Sequence, residues 1–122
     1  MRALICRNYG SPDDLVVEEA DDPVAGKGEI LVDIKAAGLN FPDVLVIGGQ
    51  YQVKTPLPFI PGHEAAGVVA GLGEGASRFE IGDKVIVTPS GGAFAERCAV
   101  PENLAMPIPE GLDFGQAAGF TI

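Results

Sequence analysis

Seventeen glycines and ten prolines are spread along 122 residues, and between them lie only short runs rich in valine and isoleucine. Glycine takes up backbone angles that other residues avoid, and proline cannot donate to a helix or a sheet ladder, so punctuation this dense limits every element to a few residues. The pattern reads as many short strands joined by turns, and an all-β barrel or sandwich is the leading architecture. The clearest run is GEILVDIKAAGLN, where Ile30, Val32 and Ile34 alternate with Leu31, Asp33 and Lys35. That alternation gives a strand one apolar and one mostly polar face. Comparable runs are ALICR (3–7), LVVEEA (15–20), EAAGVVAGLG (64–73), DKVIVT (83–88), AFAERCAV (93–100) and LAMPI (104–108).

Two segments carry helix signals. In NFPDVLVIGG, Asn40 can cap, Pro42 suits a first turn, Asp43 complements the amino-terminal dipole and Gly48-Gly49 can stop the helix. In DFGQAAGFTI, Asp113 and Gln116 form a capping-box pattern ahead of Ala117 and Ala118, without the finishing residues of a completed helix. The expectation is one domain over residues 1–122, cut just before a second one.

A chain of this length can bury roughly two-thirds of its unfolded surface. Its apolar runs all fall short of the ~18 residues that cross a bilayer, and the amino end lacks the ~7–15-residue apolar core of a signal peptide. A soluble, cytoplasmic protein without membrane association is the default expectation. Seventeen acids against eight lysines and arginines give a net charge of −9. That charge opposes nucleic-acid phosphates and anionic lipid heads, so neither is expected as a partner. Cys6 and Cys98 lack metal-ligand spacing and are expected to be reduced packing residues.

Two stretches invite chemical readings. Gly71, Gly73 and Ala76 match the G-x-G-x-x-A form of a dinucleotide loop, but SRFEIGDKV after them shows no helical stripe, and Glu74 would face phosphate with negative charge. A turn is expected there. His63-Glu64, in FIPGHEAAGVV, holds the sole histidine. A catalytic zinc needs about three protein ligands and an open position, and one imidazole beside one carboxylate supplies too few. The alternative is a turn at Gly62 leading into a strand, with both side chains satisfying neighbouring polar groups.

The ordered set GLNFPDV (38–44), GGQY (48–51), PFIPGHEAAGVV (58–69), EIGDKV (80–85), GAFAE (92–96) and PEGLDFGQAA (109–118) resembles the amino-terminal domain of medium-chain dehydrogenase/reductases. Within that superfamily it is most similar to the zinc-independent quinone oxidoreductase branch. The resemblance implies a mainly β fold, a GroES-like β-barrel with short helices forming the substrate side, with a Rossmann domain for NADPH elsewhere in complete members. In zinc-dependent alcohol dehydrogenases of the superfamily a catalytic cysteine falls where Asn40 stands and a histidine where His63 stands. An asparagine cannot replace a thiolate, and the four-cysteine lobe of a structural zinc is missing from this sequence, so neither zinc is expected.

By resemblance, Asn40, Asp43 and Tyr51 line the substrate cleft. Asn40 and Tyr51 are the implied catalytic groups, and Asn40 and Asp43 the implied contacts to the cofactor. A second tyrosine of related quinone reductases is Leu45 here, which points to a more apolar cleft. Hydride transfer to a quinone or enone yields an oxyanion whose charge is already delocalised, so amide, hydroxyl or backbone donors suffice to hold it, and solvent or Tyr51 can supply the proton. The implied activity is NADPH-dependent reduction of a quinone or other conjugated carbonyl by a complete homodimeric protein, the 122-residue chain alone being inactive. Enoyl thioester or 2-alkenal reduction is the alternative within the superfamily, and a stand-alone GroES-like binding module without catalysis the alternative outside it.

Overall fold

The structure is a computed structural model that describes residues 1–50 and 55–120. Among these residues the chain forms β1 (Arg2–Ile5), β2 (Val16–Glu19), β3 (Glu29–Ala37), α1 (Phe41–Ile47), β4 (Ala65–Leu72), β5 (Lys84–Val87), β6 (Arg97–Pro101), β7 (Ala105–Pro107) and α2 (Phe114–Ala118). The fold is mostly sheet with two short helices, as the glycine and proline spacing requires. Among the described residues no helix is long and apolar enough to cross a membrane.

Five strands pair antiparallel in the order β6-β3-β4-β5-β7, and β1 pairs with β2 in a separate ribbon. Isolated bridges between Ala3 and Ala95 and between Cys6 and Phe59 tie the ribbon to the rest. The run 93–100 does not make one continuous strand: β6 begins only at Arg97. Its first half serves a different partner, since Leu4 N–H donates to Phe94 O at 2.9 Å and Glu96 N–H donates to Arg2 O at 3.1 Å. One apolar run is thus divided between two sheets, which periodicity alone does not show.

The alternation in β3 decides its faces as expected. Ile30 and Val32 are fully buried and join Ala65, Val69, Val85, Val87 and Val100 in one core, with Ile34 packed against it. Each such branched side chain removed from water contributes about 1.5–3 kcal/mol. The opposite face of β4 and β5 is also covered, because Ala66 and Ile86 pack with Ala117 and Ala118 of α2. Asp113 Oδ1 accepts from Gln116 N–H at 2.7 Å, while Gln116 Oε1 accepts from Asp113 N–H at 3.0 Å, the reciprocal cap foreseen for this helix. The helix also has an ending, at Gly119, whose N–H bonds back to Ala117 O.

The G-x-G-x-x-A stretch is a close crossing followed by a turn, with no helix opening from it. A Cβ on Gly73 would lie 1.9 Å from the carbonyl oxygen of Gly26. The glycine there admits the backbone of the segment that leads into β3, not a pyrophosphate.

Candidate functional site

Helix α1 starts where β3 ends, and the segment leading into β4 holds it there. Asn40 is extended (φ −127°, ψ 157°) and Pro42 occupies the first turn, so the chain is bent into the helix by residues that prefer those angles. Asp43 reaches back from that turn, and its Oδ2 accepts from Asn40 N–H at 2.8 Å. Its other oxygen, Oδ1, lies 2.6 Å from His63 Nδ1. Next along the chain, Glu64 Oε1 accepts from Asn40 Nδ2 at 3.1 Å. Two consecutive residues, His63 and Glu64, therefore grip the two polar residues of the α1 start.

Glycines make this approach possible. Gly62 has φ +107° and packs against Phe94, where a Cβ would lie 2.7 Å from ring atom Cδ1. Gly38 donates its N–H to Glu64 O at 2.9 Å. A Cβ on Gly38 would fall 2.3 Å from Glu64 Oε1 and 2.9 Å from Ala118 O, so the ends of β3 and α2 meet at the Glu64 carboxylate.

Burial separates the cluster into two layers. Asp43 is 0% and Glu64 1% exposed. Asn40 is half-buried, and the His63 side chain keeps 28% of its surface exposed. The structure places Asn40 and Asp43 side by side, and Asp43, expected to line the cleft, sits beneath the surface with both oxygens engaged. Tyr51 lies outside the described residues. His63 and Glu64, read from the sequence as general structural support, are direct partners of Asn40 and Asp43. Their adjacency to Gly62 was visible, but their partner was not.

A carboxylate without a proton can only accept hydrogen bonds, so with Asp43 in that form the short contact places a proton on His63 Nδ1. A catalytic zinc needs about three protein ligands, and this corner offers one imidazole nitrogen and a carboxylate whose Oε1 is held by the Asn40 amide. Among the described residues no group of three or more His, Cys, Asp and Glu side chains could hold a metal ion. Cys98 instead pairs into the sheet opposite Val32, and Cys6 bridges to Phe59.

Both thiols are free and buried. Burial, and secondarily the charge of Glu29, pushes the Cys98 thiol up to about 11, and burial also raises Cys6. Thiolate is the nucleophilic form, so neither cysteine is a candidate nucleophile at neutral pH. A chromogenic disulfide reagent at pH 8 is expected to leave both thiols unmodified in the native protein and to label both once denaturant is added; rapid native labelling of Cys98 would contradict the packing described here.

A five-stranded antiparallel sheet closed by a ribbon, carrying a polar helix start at one corner, defines a GroES-like β-barrel. The chain belongs to the alcohol dehydrogenase GroES-like domain family, whose model matches residues 26–110, and within the medium-chain dehydrogenase/reductases it falls in the quinone oxidoreductase branch. It is 38% identical over 123 residues to quinone oxidoreductase-like protein 2 homolog of Nematostella vectensis, covering 99% of this chain and 33% of that protein. The crystal structure of human synaptic vesicle membrane protein VAT-1 homolog-like protein superposes with a TM-score of 0.95 at 33% identity, over 98% of this chain and 39% of that one. Escherichia coli quinone oxidoreductase complexed with NADPH superposes with a TM-score of 0.91 at 30% identity, over 98% of this chain and 37% of that one. The chain spans about a third of the length of the curated relatives it matches.

Proposed function

We propose that this chain is the substrate-side domain of an NADPH-dependent oxidoreductase that works without zinc and reduces a quinone or another conjugated carbonyl. The observation that carries the reading is the α1 start: Asn40, at the position of a metal-binding cysteine in the zinc enzymes, is bonded to Glu64 and half-exposed. The quinone oxidoreductase-like relatives and the NADPH complex of the Escherichia coli enzyme support it.

NADPH, when bound, supplies the hydride. The residues of this chain bind and orient the acceptor. With one N–H on Glu64, the Asn40 amide still offers its second N–H and its carbonyl oxygen. The N–H can hold the carbonyl oxygen of the acceptor as charge develops there, and a preset donor in a site shielded from water is worth far more than the same donor in solution. Glu64 keeps the amide from rotating, and Asp43 holds the backbone of Asn40 and the ring of His63. Tyr51 completes the proposal by adding a hydroxyl contact to that of the Asn40 amide. The proposal extends to a cytoplasmic, homodimeric complete protein, the first being the default from the sequence and the second carried by the family resemblance.

The test is NADPH oxidation in the presence of a benzoquinone, an enone, a 2-alkenal and an enoyl thioester, measured with the 122-residue chain and with a longer version extended along its reading frame. The longer version is expected to reduce the quinone or the enone and the shorter one to be inactive, because a hydride donor that is not positioned loses its proximity advantage. Equal rates from the two, or turnover of the thioester alone, would overturn the reading.

A further inference from the structure

Around the α1 start, two carboxylates are buried and two other polar groups reach the surface. Asp43 and Glu64 have essentially no exposure, whereas the Asn40 amide and the His63 imidazole do. His63 makes its bond through Nδ1, to Asp43. Among the described residues no buried side-chain nitrogen or oxygen lacks a hydrogen-bond partner. The second ring nitrogen, Nε2, has none, and therefore reaches solvent. It stands on the residue next to Glu64, which orients Asn40.

Resting on the reductase reading above, we propose that His63 is a catalytic residue that donates a proton through Nε2 to the acceptor, with Asp43 as its positioning residue. The bond to Asp43 keeps a proton on Nδ1 whether the ring is neutral or charged, so protons come and go at Nε2 alone. Hydride addition to the conjugated carbonyl places an electron pair on its oxygen. The Nε2–H bond then breaks, its electrons stay on the ring, and the new O–H bond forms. His63 is left neutral, with Nδ1–H still on Asp43, and regains its proton from water at the exposed nitrogen. The arrangement of acceptor-only carboxylate, ring and reacting oxygen is the one by which a buried acid orients a working imidazole generally. The neighbouring charged groups are Asp43 on α1 and Glu64 at the entry to β4.

His63 is the sole histidine, so its ring nitrogens give one unambiguous set of long-range proton–nitrogen correlations in the 15N-labelled 122-residue chain. The expected neutral form carries its proton on Nδ1 and none on Nε2. A neutral form protonated on Nε2 overturns the proposal. In the longer, NADPH-binding version, H63Q is expected to lower kcat by about 100-fold while changing KM for the quinone little, since general acids contribute roughly 10²–10⁴-fold. Y51F is measured beside it, and the amide spectrum of each variant reports whether it folds. An unchanged kcat in folded H63Q overturns the role of His63 and leaves the reductase reading standing. Absence of quinone and enone reduction by the unsubstituted protein overturns both.

Discussion

Replacing Gly67 with alanine is expected to cost more than about 3 kcal/mol, at or beyond the upper end of ordinary overpacking, and so to remove much of the stability of a domain this size. Gly67 lies in β4, paired with Ile34 of β3 on one side and Val85 of β5 on the other. A Cβ on it would fall 2.0 Å from the carbonyl oxygen of Asp33 and 2.9 Å from Val32 Cγ1. The obstructing atom is backbone in a paired strand, so relief requires separating β3 from β4, which form the most extensive strand pair among the described residues. At Gly71, four residues along β4, the nearest atom to such a Cβ is Leu31 Cβ at 3.4 Å. Gly71→Ala is expected to cost less than about 1 kcal/mol. Urea denaturation of the two variants checks this; similar midpoints for both would refute the close packing of β3 on β4.

Asp43→Ala is expected to cost about 2–4 kcal/mol, again read from the urea midpoint. Removing one partner of a buried polar set leaves the others unpaired, and such losses run to about 3–5 kcal/mol when the pair is wholly enclosed. Here the carboxylate is buried and serves both Asn40 N–H and His63 Nδ1. The backbone N–H loses its partner outright, a cost of about 1–3 kcal/mol. His63, with 28% of its side chain exposed, can recruit water, which lowers the total. Asp43→Asn is expected to lose less, since an amide oxygen can still accept one of the two bonds. A midpoint for Asp43→Ala within error of the parent would mean that the α1 start does not depend on this carboxylate.

The strands and helix starts were legible because their signals are local. Alternation in GEILVDIKAAGLN marked the buried side of β3, and the Asp113–Gln116 spacing and the Asn40 cap with Pro42 after it marked where helices begin. The division of residues 93–100 between two sheets was not legible, since Phe94 and Val100 are equally apolar and only their distant partners differ. The burial of Asp43 was hidden for a related reason. An acid in a first helical turn is ordinarily solvated, and what encloses this one is a segment twenty residues away.

By itself the sequence determined a mainly β chain of short elements, a helix beginning at Asn40, and a sole histidine next to an acid. It also carried the family resemblance, spread over motifs in a set order. Only the tertiary structure decided that His63 and Glu64 close on Asp43 and Asn40, across separations of 20 and 24 residues. Periodicity and capping act over about four residues, whereas this contact depends on the pairing of β3 with β4, on Gly38 and Gly62 admitting close backbone approach, and on the low exposure that makes those hydrogen bonds necessary.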